Sequence, residues 1–220
     1  MKNLITIVLI LISTLSFSQS LPQKIDEDNQ IRRYNGYIIS YNETCEQANW
    51  VYYLLKPSDL SGDKTKRLNK FRVDDSIKTG TAELKDYKGS GYDRGHLKPA
   101  GDEPCDSTQM SETFYMSNMS PQEPSFNRGI WKKLENEVRN LALKSDSIIV
   151  ITGGVLKKGL KTIGENNVCV PNHYFKVLYV YKADKLNIIC FVIPNKKSNE
   201  ELYTYRVNLN ILQDFINIEF

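Results

Sequence analysis

The chain has 220 residues, a formal charge of +3, 40% hydrophobic and 25% charged residues, which suits one soluble α+β domain with a sizeable core. That charge is only mildly basic. It neither demands nor forbids a polyanionic partner, because local patches matter more than totals.

At the N-terminus, Lys2 precedes an apolar run over residues 4–12, and Ser16-Phe17-Ser18 offers small residues at the spacing a signal peptidase reads. Residues 1–18 are therefore expected to be a cleaved signal peptide and the mature protein to be secreted or otherwise extracytoplasmic, with no membrane span after processing. Loss of Lys2 alone lowers the charge to +2. Residues 19–36 are expected to be an N-terminal arm and residues 37–220 the domain.

Residues 37–41 and 50–55 read as two strands, rich in aromatic and β-branched side chains, joined by a polar loop as a hairpin. Residues 64–72 are basic and 74–90 form a connecting loop. Residues 107–113 suit a short helix. The clearest helix covers 129–144, with Ile130, Trp131, Leu134, Val138, Leu141 and Ala142 on one stripe. The apolar run 148–152, closed by Gly153-Gly154, fits a central strand buried on both faces. Residues 174–181 and 186–193 predict two further strands around Ala183-Asp184-Lys185. Ser198-Asn199-Glu200-Glu201 has the spacing of a capping box and predicts a short helix. With no repeat, linker or low-complexity segment, the pattern predicts a central, largely antiparallel sheet flanked by helices.

The chemistry concentrates in Asp93-Arg94-Gly95-His96 and two later clusters, Ser117-Asn118-Met119-Ser120-Pro121-Gln122 and Phe126-Asn127-Arg128-Gly129-Ile130-Trp131, which leads to Glu135. Hydrolysis of a phosphodiester needs a base for water and a cation for the charge that develops on phosphate. His96 can take a proton near neutrality, and Arg94 offers a planar fork for phosphate. No carboxylate cluster of the two-metal type is present, so the cation would be a hard ion that keeps most of its waters. Asn127 can give it one carbonyl oxygen. Glu135 lies two turns on, about 12 Å along a helix axis, which suits contact through water rather than a shared coordination site. His173 and Trp131 read as structural.

These three clusters, in this order and spacing, resemble the DNA/RNA non-specific endonuclease family of the ββα-metal superfamily. Weaker similarity extends through Trp50-Val51-Tyr52-Tyr53, the Arg67 to Asp74 block, Ile151-Thr152-Gly153-Gly154 and the run from Val170 to Val177. The resemblance implies a ββα-metal fold and a sugar-non-specific endonuclease that leaves 5′-phosphate and 3′-hydroxyl ends. His96 matches the general base, Asn127 the direct magnesium ligand and Glu135 the acid that holds metal-bound water. Asn118 matches a residue that positions the catalytic site, and Arg94 a phosphate contact. A second phosphate-binding arginine corresponds to Arg67 or Arg72. The implied cofactor is Mg2+, for which Mn2+ can substitute, and the substrates are DNA and RNA. A non-catalytic nucleic-acid-binding module or a phosphodiesterase for small nucleotides are the competing readings. Of the three pairings open to four cysteines, Cys105 with Cys169 is expected, because both flank the site, leaving Cys45 and Cys190 free.

Overall fold

The computed structural model describes residues 21–24 and 30–220; the expected signal peptide lies outside the described residues. A seven-stranded antiparallel sheet forms the middle of the molecule. Its spatial order is Arg206–Val207, Lys185–Pro194, His173–Lys182, Ser147–Gly154, Gln47–Leu55, Ile38–Asn42 and Gln30–Arg33. The expected hairpins, the central strand and the α+β class are all found. The sheet begins earlier than expected, because Gln30–Arg33, within the segment read as an arm, pairs with Ile38–Asn42.

Side-chain alternation explains why the central strand is so apolar. In Ser147–Gly154, Ile148 and Val150 face one core while Ile149 and Ile151 face the other. The first core holds Leu134 and Val138 from the helix Lys132–Ala142 and Trp131 from the turn just before it, and the second holds Leu212 and Ile216 from the helix Leu209–Ile216. A helix thus covers each face of the sheet. Among the described residues no helix is long and apolar enough to cross a membrane.

Two local expectations differ. Ser198 does not cap a helix: its hydroxyl pairs with that of Tyr205 and accepts the Glu200 N–H, and a 3-10 turn follows only at Leu202–Tyr205. The disulfide joins Cys45 to Cys169, not Cys105 to Cys169; Cys105 and Cys190 are free thiols. Cys45 sits in the turn between Ile38–Asn42 and Gln47–Leu55, and its carbonyl accepts the Cys169 N–H, so backbone pairing has already brought these two together.

Candidate active site

A two-stranded antiparallel ribbon carries the motif. Asp93–His96 pairs with Met119–Gln122, with Gly95 opposite Ser120. A Cβ on Gly95 would lie 2.1 Å from the Gln122 side chain, so glycine permits this close approach. The ribbon is tied to the main sheet because the Ser120 hydroxyl donates to Gln47 and pairs with the Tyr174 hydroxyl at 2.6 Å. Gln47 in turn donates to the carbonyl of Cys169 at 2.6 Å, which links the ribbon to the disulfide.

After the ribbon, Pro124–Phe126 starts a helical run that passes through a π turn at Asn127–Trp131 before the regular helix Lys132–Ala142. Gly129 breaks helical geometry there, at φ −104° and ψ −109°. Asn127, Trp131 and Glu135 recur at four-residue spacing. Trp131 is core, packed on Phe126 and Tyr174, while Asn127 and Glu135 border a cavity of about 330 Å³.

His96, Arg94 and Arg67 line the same cavity, as do Arg128, Lys132 and Arg139. The half-buried His96 ring lies edge-on to Phe114 and Phe71, with centroids 4.9 and 5.6 Å away. Its Nε2 is enclosed and has no hydrogen-bond partner among the described residues. Burial, followed by the charges of Arg67 and Arg94, pushes its pKa down to about 3, so the imidazole is neutral at physiological pH. The Arg94 guanidinium lies 4.4 Å from the Phe71 ring centroid and Arg67 lies 5.0 Å from that of Phe114. Arg94 has no ion pair among the described residues.

Asn118 does not line the cavity. It is fully buried, its amide oxygen accepts the Lys98 N–H at 2.9 Å, and its amide nitrogen donates to the carbonyls of Lys98 and Thr113. It therefore clamps the backbone two residues beyond His96. Arg72 is also outside the cavity: its guanidinium packs 4.0 Å over Tyr115 and donates to the Ser111 carbonyl. Of the two candidate upstream arginines, only Arg67 reaches the cavity.

Three groups without a role in the sequence reading stand behind the site. Asp93 accepts the Asn127 amide N–H at 2.9 Å and both arms of the Arg128 fork at 2.9 and 2.6 Å. With its nitrogen so engaged, Asn127 is left with its carbonyl oxygen as the unbonded polar atom. Arg139 binds Asp102 at 2.6 Å, and Asp102 also accepts the Tyr53 hydroxyl at 2.7 Å. Lys176 lies on the face of its strand shared by Tyr174 and Leu178. Its buried ammonium is 4.8 Å from the Trp131 ring centroid and has no hydrogen-bond partner among the described residues. Burial pushes the Glu135 carboxyl up against the opposing pull of Lys176, and burial pushes the Lys176 ammonium down.

Among the described residues no group of three or more His, Cys, Asp or Glu is placed to hold a metal ion. The available donor is instead a single amide oxygen in a cavity with one nearby carboxyl group. That fits a hard, largely hydrated ion and does not fit zinc or a soft metal.

The family model described as DNA/RNA non-specific endonuclease matches residues 18–220. Nuclease EXOG, mitochondrial, of Danio rerio is 37% identical over 178 residues, covering 74% of this chain and 52% of that protein. This chain thus spans about half the length of that relative. Nuclease C1 of Cunninghamella echinulata var. echinulata is 36% identical over 201 residues, covering 84% and 80% of the two chains. A chain in the crystal structure of the EndoG/EndoGI complex superposes with a TM-score of 0.83 at 31% identity, over 88% of this chain and 86% of that one.

Proposed function

Because this chain belongs to the DNA/RNA non-specific endonuclease family, we propose that it hydrolyses phosphodiester bonds of both DNA and RNA. The reaction uses His96 as general base and one magnesium ion, with manganese able to replace it. The observation that carries this reading is the convergence of His96, Arg94, Asn127 and Glu135 on one cavity with the exposed Arg67. The ribbon followed directly by a helix, with the base on the first strand and Asn127 at the helix start, supports a ββα-metal arrangement.

His96 is neutral and can accept a proton from water that attacks phosphorus. Arg94 and Arg67 present forked donors to the non-bridging oxygens, where negative charge builds in the transition state. Asn118 keeps His96 in place through the backbone of residue 98. Asn127 would hold the ion by its amide oxygen, Asp93 fixes the direction of that amide, and Glu135 would contact the ion through water. When bound, magnesium supplies Lewis acidity to the phosphate and its leaving oxygen. Departure of the 3′-oxygen leaves 5′-phosphate and 3′-hydroxyl ends, and the ribose 2′-hydroxyl takes no part.

Residues 1–18 act, on this reading, as a cleaved leader that delivers the domain outside the cytoplasm. The Cys45–Cys169 bridge supports that assignment, since disulfides persist in oxidising compartments. A binding module without catalysis would have no use for a neutral imidazole beside an oriented amide oxygen. The test is plasmid nicking by the mature protein with magnesium, with excess chelator, and by His96→Ala. Nicking should stop in chelator and fall by about 10²-fold or more in the variant. Unchanged nicking in chelator removes the metal from the account, and a folded, active His96→Ala removes the base.

A further inference from the structure

A second cavity, of about 560 Å³, lies beside the first and shares Arg94 with it. Its wall differs in chemistry from the catalytic side, with Leu84, Tyr87 and Tyr92 together with Lys88. Strand alternation explains how the two are connected. Tyr92, Arg94 and His96 are spaced by two residues, so they follow one another along one face, each step about 7 Å. We propose that Tyr92, Lys88 and Arg94 form a subsite for the nucleotide next to the scissile phosphate, with the base stacked on Tyr92 and its phosphate held between Lys88 and Arg94; this rests on the nuclease reading of the adjoining cavity.

The Asp93 carboxylate, which also lines this cavity, is taken up by Arg128 and Asn127, which leaves the other side chains of the wall to a ligand. The half-buried Tyr92 ring is backed by packing against the cluster of Met116, Met119 and Val168, so it is a fixed surface rather than a swinging side chain. Leu84, 41% exposed, adds an apolar edge to this wall. The Lys161 ammonium lies over the Tyr92 ring, 5.4 Å from its centroid, and brings positive charge to the face that a base would share. Lys85 is neutralised by Glu165 at 3.1 Å, whereas Lys88 is exposed and has no ion pair among the described residues. The Tyr87 ring, buried in the same cluster that backs Tyr92, forms the buried part of this wall. An apolar ring surface with two unpaired cations suits a nucleotide better than bare phosphate or an acidic peptide, neither of which uses Tyr92 or Leu84.

The test is equilibrium binding in chelator, by fluorescence anisotropy, of a short single-stranded DNA oligonucleotide, the same oligonucleotide with abasic sites, and inorganic phosphate and a polyglutamate peptide as competitors. Tyr92→Ala should weaken the normal oligonucleotide by about 5- to 150-fold, while Tyr92→Phe retains affinity, since a base stacked on an aromatic ring contributes about 1–3 kcal/mol. The abasic strand should bind Tyr92→Ala and the unaltered protein alike, which also shows that the variant is folded. Lys88→Ala should reduce the salt slope by about one. Equal loss on normal and abasic strands, no loss on either, or displacement by polyglutamate as effective as by oligonucleotide overturns the subsite. Because no bond is cut, the outcome separates from the nuclease reading: Tyr92-dependent binding without magnesium-dependent cleavage keeps the subsite and removes the nuclease, and cleavage without Tyr92 dependence does the reverse.

Discussion

Removing Asp93 should damage the use of metal far more than it damages the fold. Its carboxylate makes two kinds of contact. The fork of Arg128 is 72% exposed, and an ion pair in that setting is screened by solvent and adds little to stability. The Asn127 amide is half-buried, and a hydrogen bond from it to a charged acceptor is worth about 1.5–3 kcal/mol. Without that bond the amide can rotate and present N–H where the carbonyl oxygen is needed. The same 1.5–3 kcal/mol corresponds to about 10- to 100-fold in an equilibrium constant, the range expected for a residue that orients a ligand. Asp93→Ala should therefore raise the magnesium concentration for half-maximal nicking by about 10- to 100-fold. Asp93→Asn, which keeps an acceptor oxygen for Asn127, should have a smaller effect, and Arg128→Ala a smaller one still. Titration calorimetry with Mn2+ reads the same order without catalysis. A folded Asp93→Ala protein with unaltered half-saturation and Mn2+ affinity would refute the role given to Asp93.

Reduction of Cys45–Cys169, whose partners are 124 residues apart, should lower stability by about 5 kcal/mol on the chain-entropy relation, while Cys105→Ala should change little. Denaturant midpoints with and without reductant check this, and an unmoved midpoint contradicts it. Arg67→Ala should weaken activity and its salt dependence, whereas Arg72→Ala, acting through Tyr115 and Ser111, should mainly lower stability. Equal kinetic losses at unchanged stability would return Arg72 to the phosphate site. His96 is held neutral with a pKa lowered from 6.5 to about 3, so the unfolded chain takes up the proton first as pH falls. This group's contribution is whole above about pH 6.5 and is lost towards pH 3, amounting to about 1–2 kcal/mol by pH ~5. His96→Gln should flatten denaturation midpoints across that range, and an unchanged slope would show that His96 is not held neutral.

The parts of the site that sequence revealed are those whose chemistry is local. Asp93-Arg94-Gly95-His96 lies on one strand, and Asn127 and Glu135 lie on one helical run, so short spacings carried the geometry. The strands 148–152, 174–181 and 186–193 are recognisable because short runs rich in apolar and β-branched residues, bounded by turn residues, mark strands whatever packs on them. What escaped notice depends on which distant segments meet. Cys45 and Cys169 are paired by a backbone contact between a hairpin turn and a short strand, which spacing along the chain does not encode. Arg72 and Arg67 are equally basic in sequence, and only packing on Tyr115 removes the former from the cavity. Lys176 did leave a trace: a lysine within the run His173-Tyr174-Phe175-Lys176-Val177-Leu178, in a strand too apolar to have a solvent face. Its meaning became clear only with Trp131 and Glu135 beside it. The Ser198 motif failed because a nearby tyrosine hydroxyl competed for the serine that would have capped a helix.

The most direct test of the whole account is the chemistry of the ends produced when the mature protein cuts single-stranded DNA and RNA of matched sequence in magnesium. Water activated by His96 predicts cleavage of both polymers, with 5′-phosphate and 3′-hydroxyl ends on each. A 2′,3′-cyclic phosphate on the RNA products, or RNA degraded while DNA stays intact, would mean that the ribose hydroxyl is the nucleophile and would contradict it.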